Sequence, residues 1–286
     1  MERCCLVVLG MHRSGTSAVT RLLNLLGAAL PYNTMPAGPA NPEGHWEPAR
    51  LVSLNDAILA ALGSAWDCLM PTELTQLSSA KRESYAEQVA GVVLEEYGSS
   101  KLFVLKDPRM CRLLPVYHAA FDRLRIEVKH VLVFRDAPSV AASLLRRDGI
   151  LPDFGGLLWL DHMLRAERAT RGLVRTCIQL DELLHDWRAT SARLSAELSV
   201  SWPSTPDSVA DQVASFLKPA MLTPPTPQDR FRSPCVAEMV GGVSKQYIFK
   251  ALGGQMSTVL LSGPPGSDVN FSLRGANDGV VYKAPG

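Results

Sequence analysis

An octapeptide close to the N-terminus has the composition of an anion-binding turn. Residues 10–17 (GMHRSGTS) follow a short apolar run, residues 4–9, that is typical of a buried strand. Apolar residues at helical spacing come next, and Gly27 is placed to end that helix. A strand, a glycine turn and a helix point free backbone N–H groups and the positive end of a helix dipole at an anion. The pattern predicts a phosphate site.

The turn differs at one position from the nucleotide-binding loop G-x-x-x-x-G-K-[ST]. Gly10, Gly15 and Ser17 fit that spacing. Thr16, however, stands where the loop needs its lysine, and the cation is Arg13, inside the turn. A guanidinium binds an oxyanion through two parallel hydrogen bonds. The arginine in the turn therefore favours a site that binds a terminal group over a site for Mg-ATP. A glycine turn with a purely structural role is the alternative.

Cations and hydroxyls also follow two later apolar runs. One run ends at Lys106 and the other at Arg135. Since ligands collect at the carboxyl ends of parallel strands, both cations should lie at one edge of a sheet. Ser139 and Ser143 share a face of the helix that follows Arg135, so these residues predict a second anion site.

The loop after the first helix contains titratable candidates. Residues 41–47 (NPEGHWE) include Glu43, His45 and Glu47, and a loop at this place could reach back over the phosphate turn. The alternative is a surface loop in which Glu47 only starts the next helix, where the dipole favours a carboxylate. That position would lower the basicity of Glu47.

Short apolar strands alternate with helices along most of the chain. This alternation predicts an α/β fold, a three-layer sandwich whose central parallel sheet has about four or five strands. After residue 218 proline, glycine, serine and asparagine dominate. The sequence therefore predicts one domain over residues 1–218 and a partly disordered Pro/Gly-rich tail over residues 219–286, with 246–261 as its only apolar stretch.

Bulk composition narrows the class of protein. With 286 residues, 47% hydrophobic and 20% charged, and a net charge of +1, the chain predicts neither nucleic-acid binding nor stable membrane insertion. No apolar run approaches the roughly 20 residues of a membrane span, and a cytoplasmic protein is expected. The six cysteines form no C-x-x-C pair and the six histidines show no metal-ligand spacing, so no metal is expected.

Taken together, the motifs resemble the sulfotransferases that use 3′-phosphoadenosine 5′-phosphosulfate, in particular the bacterial carbohydrate-type members. The resemblance covers about residues 4–220. It implies a P-loop NTPase-like sulfotransferase fold, a sulfuryl donor that leaves as adenosine 3′,5′-bisphosphate, and a hydroxyl of a carbohydrate, glycolipid or similar small molecule as acceptor. The motifs that carry it are GMHRSGTS, NPEGHWE, LKDPR, FRDAPSVAAS and LLWLDHMLRAER followed by LDELLHDW.

The resemblance also implies roles for individual residues. Arg135 and Ser143 would clamp the 3′-phosphate, and Lys106 would lie beside the transferring sulfuryl group. The 5′-phosphosulfate would be held by residues of the turn: His12, Arg13, Ser14, Gly15, Thr16 and Ser17.

The general base is the least determined of these roles. Hormone-type members use a histidine two residues beyond the strand lysine, but that position is Pro108 here. Carbohydrate and tyrosine branches use a glutamate in the loop or helix after the phosphate turn. Glu47 is the first choice, with Glu43 and His45 as alternatives. Two other functions stay open, a nucleoside or small-molecule kinase that needs Mg-ATP and a non-catalytic nucleotide-binding module.

Overall fold

A four-stranded parallel sheet forms the centre of the protein. The computed structural model describes residues 3–38, 44–69, 73–218 and 221, and the backbone of five further strands towards the C-terminus. The strand order is β2-β1-β3-β4, so β1, which leads into the phosphate turn, lies inside the sheet. The strands are β1 (Cys4–Leu9), β2 (Leu102–Lys106), β3 (Glu127–Phe134) and β4 (Arg175–Gln179).

Nine α-helices within the described ranges surround this sheet. The sequence analysis did not predict α4. The helices are α1 (Thr16–Leu25), α2 (Ala49–Ala61), α3 (Ser79–Tyr97), α4 (Met110–Leu124), α5 (Ala137–Asp148), α6 (Pro152–Thr170), α7 (Leu180–His185), α8 (Trp187–Leu198) and α9 (Ala210–Phe216).

The helices form two layers, one on each face of the sheet. Alternate side chains of β1 point to opposite faces. Cys5, Val7 and Leu9 pack into the core made with α2 to α6. Leu6 and Val8 pack into the core made with α1 and α7 to α9. The predicted three-layer α/β sandwich with a central parallel sheet is therefore confirmed.

A second, antiparallel sheet lies in the C-terminal part of the sequence. The sequence analysis did not predict strands there, although its apolar stretch 246–261 overlaps β6 and β7. The division of the chain at residue 218 and the expected partial disorder of residues 219–286 both stay predictions, since many of those residues lie outside the described part of the chain. The strand order is β5-β6-β7-β8-β9, with β5 (Val236–Ala237), β6 (Ser244–Lys250), β7 (Met256–Ser262), β8 (Asn270–Gly275) and β9 (Val281–Lys283).

Within the part of the chain that the structure describes, no helix combines the length and the apolar character that a bilayer crossing requires.

Candidate active site

Two glycines shape the turn between β1 and α1. A Cβ on Gly10 would lie 2.8 Å from the Val133 carbonyl oxygen, so only glycine lets the turn approach β3 this closely. Gly15 caps α1 with a φ of 90°, a left-handed conformation that disfavours other residues. Arg13 also has a positive φ, 69°, which costs a residue with a side chain about 1–2 kcal/mol. Such strain is often found at ligand sites.

Lys106 lies at the centre of the predicted site. Its side chain is 1% exposed, at the carboxyl end of β2. The ammonium donates to Glu47 Oε1 at 2.6 Å, to the His45 carbonyl oxygen at 2.5 Å and to Ser17 Oγ at 3.2 Å. An ammonium has three N–H donors, and each of these acceptors can take one. The structure thus brings Lys106, Glu47 and the phosphate turn together.

Glu47 is a buried carboxylate, with 6% of the residue exposed. Burial raises its pKa, Lys106 opposes that rise, and Asp107 adds to it. The sequence analysis expected a lower basicity from the dipole of α2. That expectation is wrong, because α2 starts at Ala49 and burial dominates the environment of Glu47. A raised pKa makes a carboxylate a stronger base.

The other two candidate bases are placed differently. His45 contributes its backbone carbonyl to Lys106, and its half-buried imidazole has a pKa lowered by burial, then by Lys106 and Arg147. Glu43 lies outside the described residues. Glu47 is therefore the candidate whose side chain the structure ties directly to Lys106.

The two predicted anion sites adjoin each other. Arg13 Nε donates to Ser143 Oγ at 2.8 Å, and Arg135 donates to the Arg13 carbonyl oxygen at 3.2 Å. Asp136 caps α5 by accepting from the Ser139 N–H. Burial lowers the pKa of Arg13, followed by Arg147 and Arg135. A bound anion would relieve this crowding of positive charge.

Ser14 and Thr16 are both buried within the turn. The Ser14 hydroxyl has no hydrogen-bond partner among the described residues. The Thr16 methyl would lie 2.9 Å from a Cβ on Gly10, so this side chain packs under the turn. Ser14 therefore offers an uncommitted hydroxyl, whereas Thr16 has a packing contact.

His12 lies in a cluster with Trp66 and Arg147 that the sequence analysis did not predict. Its ring packs on Trp66 with 4.5 Å between centroids, and the Arg147 guanidinium lies 5.5 Å from the Trp66 ring. His12 Nε2 is buried and has no hydrogen-bond partner in the described part of the chain. Burial lowers its pKa strongly, and Arg109 and Arg147 add to this. These effects favour the neutral form of the His12 imidazole.

A buried polar network supports the end of β2. Asp107 accepts from Asn55 Nδ2 at 2.8 Å and from the Arg109 backbone N–H at 3.0 Å. Asn55 in turn accepts from the Tyr117 hydroxyl at 2.8 Å. Arg109 also pairs with Asp56 at 2.6 Å. These contacts hold Asp107, the residue next to Lys106, in place.

Solved structures that are similar to this chain include two sulfotransferase domains. The sulfotransferase domain from the curacin biosynthetic pathway aligns with a TM-score of 0.42 and 15% identity, covering 70% of this chain and 75% of that chain. The sulfotransferase domain from the Synechococcus PCC 7002 olefin synthase gives 0.41 and 15%, covering 78% and 84%. No protein-family model and no curated protein matches the chain. The residues of the site therefore carry the functional argument.

Proposed function

We propose that this protein transfers a sulfuryl group from 3′-phosphoadenosine 5′-phosphosulfate to a hydroxyl of a small acceptor. The observation that carries the proposal is the contact of the Lys106 ammonium with both Ser17 of the phosphate turn and the Glu47 carboxylate. It puts a cation and a carboxylate base beside the place where the end of a bound donor would lie. Group transfer needs both within reach of the reacting atoms.

The charge around the turn suits a donor with two anionic ends. Arg13 and Arg135 adjoin, and Lys106 and Arg147 lie near enough to lower the pKa of His45. The 5′-phosphosulfate would lie on the turn and the N-terminal end of α1, and the 3′-phosphate on Arg135 and Ser143. Guanidinium groups suit terminal phosphates because they form paired hydrogen bonds.

The chemistry assigns a step to each group. Glu47 takes the proton of the acceptor hydroxyl while the oxygen of that hydroxyl forms a bond to sulfur. The bond between sulfur and the 5′-phosphate oxygen breaks, and its electron pair leaves with adenosine 3′,5′-bisphosphate. Residues 14–17 and Lys106 stabilise the charge that develops on the leaving oxygen.

A change of partner at Lys106 links donor binding to the strength of the base. Before the donor binds, Lys106 holds Glu47 ionised through the 2.6 Å pair. When Lys106 turns this N–H group from Glu47 to a sulfuryl oxygen, Glu47 loses a charge-assisted hydrogen bond. Its pKa then rises further, since burial already acts in that direction. The base would become strongest when the donor is in place.

The acceptor class follows from the resemblance of the motifs. It favours a hydroxyl of a carbohydrate, a glycolipid or a similar small molecule. His12 and Trp66, which pack on each other beside the turn, are the candidates for contact with such a molecule. A screen of hydroxyl compounds with labelled donor would identify it.

Calorimetry with defined nucleotides tests the donor. Adenosine 3′,5′-bisphosphate should bind at least tenfold more tightly than adenosine 5′-monophosphate, and Arg135→Gln should remove most of that difference. Tight binding of ATP only with Mg²⁺ would instead favour a kinase. Bisphosphate binding without sulfuryl transfer to any compound in the screen would favour a non-catalytic module.

A further inference from the structure

The backbone on either side of Glu47 is fastened to another segment of the chain. The Met35 N–H donates to the Glu47 carbonyl oxygen at 2.7 Å, and the Ala49 N–H donates to the Asn33 carbonyl oxygen at 3.0 Å. Between these two bonds, Thr34 and Pro48 face each other in an antiparallel bridge. The position of Glu47 therefore depends on the position of residues 33–35.

Residues 33–35 are fastened in turn to the end of α3 by one buried carboxylate. Glu96 Oε2 accepts from the Asn33 backbone N–H at 2.7 Å, and Glu96 Oε1 accepts from Asn33 Nδ2 at 3.2 Å. The Glu96 carbonyl oxygen also accepts from the Tyr32 N–H at 3.0 Å. Glu96 is 1% exposed, so both of its side-chain contacts are shielded from water.

The stability of helix α3 does not explain why a buried carboxylate stands at position 96. It lies in the last turn of the helix, where the dipole is negative and disfavours a carboxylate. Burying a carboxylate also costs free energy unless hydrogen bonds compensate for it. Both costs are offset by the two bonds to Asn33, which are of the stronger, charge-assisted kind. The side chain is therefore suited to holding residue 33.

We propose that Glu96 is a positioning residue for Glu47, acting through Asn33 and the paired backbone segments 33–35 and 47–49. The inference rests on the proposed function, in which Glu47 is the base. Glu96 keeps the Glu47 carboxylate at its 2.6 Å contact with Lys106. Because a misplacement of about 1 Å at a reacting group can cost roughly 100-fold in rate, this support controls turnover.

Glu96→Gln is the test, since it keeps the size of the side chain. Glutamine can still pair with Asn33 if the Asn33 amide flips, but both hydrogen bonds then lose their charge-assisted character, so the support of residues 33–35 weakens. Asn33→Asp in the same chain restores a charge-assisted bond, because the new carboxylate accepts from the Gln amide. Glu167→Gln is the matched control: Glu167 is also a buried carboxylate, 3% exposed, and it pairs with Arg171 and Arg175.

Three measurements are made on the full chain. Turnover is followed as labelled sulfate lost from the donor to water and as transfer to p-nitrophenol, a simple probe acceptor. The affinity for adenosine 3′,5′-bisphosphate shows whether the donor site is intact. Hydrogen exchange of the Met35 and Ala49 amides reports the backbone pairing directly, with no need for an acceptor.

The expected result is a 10- to 100-fold loss of turnover for Glu96→Gln, bisphosphate affinity within a few-fold, and faster exchange at Met35 and Ala49. The double variant should recover both turnover and protection, and Glu167→Gln should change neither. Normal turnover in Glu96→Gln, or an equal loss in Glu167→Gln, would overturn the inference. If Glu47→Gln keeps its turnover, the assignment of the base fails as well. If Glu96→Gln keeps its turnover while Glu47→Gln loses it, the proposed function stands, but Glu96 does not position Glu47.

Discussion

Replacing Glu47 by glutamine removes the proton-accepting carboxylate and leaves the shape of the side chain almost unchanged. In the native protein Glu47 Oε1 accepts from Lys106 at 2.6 Å, and the amide oxygen of glutamine can still accept there. Lys106 also keeps its contacts with Ser17 and the His45 carbonyl oxygen. The substitution therefore changes the chemistry of the site more than its packing.

The size of the effect follows from the burial of the pair. Loss of a general base lowers turnover by roughly 100- to 10,000-fold. Stability should fall by about 1–3 kcal/mol, because the buried Lys106 ammonium exchanges a charged partner for a neutral one. That is less than the roughly 3–5 kcal/mol for breaking a buried ion pair outright. Turnover should collapse while the protein stays folded.

The assay separates binding from chemistry. Single-turnover release of labelled sulfate measures the chemical step, and calorimetry measures the affinity for adenosine 3′,5′-bisphosphate. Glu43→Gln and His45→Ala are the parallel controls, since both residues are in the same loop. Turnover should collapse only in Glu47→Gln, and bisphosphate affinity should stay within a few-fold of the native value.

One pattern of results would refute the assignment. If Glu47→Gln turns over at nearly the native rate while Glu43→Gln or His45→Ala loses activity, the base is that other residue. The Glu47–Lys106 pair would then serve only to hold the loop against β2.

Three further outcomes are expected. Ser143→Ala should weaken adenosine 3′,5′-bisphosphate binding by about tenfold and adenosine 5′-monophosphate binding much less in calorimetry, because the proposed function assigns this hydroxyl to the 3′-phosphate, which only the bisphosphate carries; equal losses for both would contradict a 3′-phosphate role. Gly15→Ala should lower the melting temperature and bisphosphate affinity together, since its φ is 90° and the new Cβ would lie 2.6 Å from Leu180. Burial is the leading cause that lowers the pKa of His130 and of His162 to about 4 in the folded protein. In the unfolded chain the same histidines have a pKa of about 6.5, so the unfolded chain takes up protons at a pH where the folded protein does not. Denaturant titrations should show stability that is full above about pH 6.5 and falls by about 3 kcal/mol per histidine as the pH drops to about 4, and a flat profile over that range would disprove it.

Local signals predicted the strand, the turn and the helix of residues 4–25 well because they act over a few residues. Glycine spacing, the apolar run before it and the amphipathic pattern after it fix the strand, the turn and the helix in one short stretch. The Asp136 cap is equally local, since it depends on a side chain and an N–H three residues apart. By contrast, α4 carries Pro115 inside the helix, and a proline there normally predicts a break. Packing against α3 and α6 overrides that local preference.

The sequence by itself determined which side chains stand at the carboxyl ends of the strands, because periodicity and turn residues encode burial and direction. It could name Lys106 and Glu47, yet 59 residues separate the two, and no local pattern states that they touch. Tertiary structure decided that pairing by placing β2 directly beside β1 and the loop of Glu47 across them. It also decided the link from Glu96 to Asn33, across 63 residues. Such contacts arise only when the sheet order and the packing of several elements bring distant segments together.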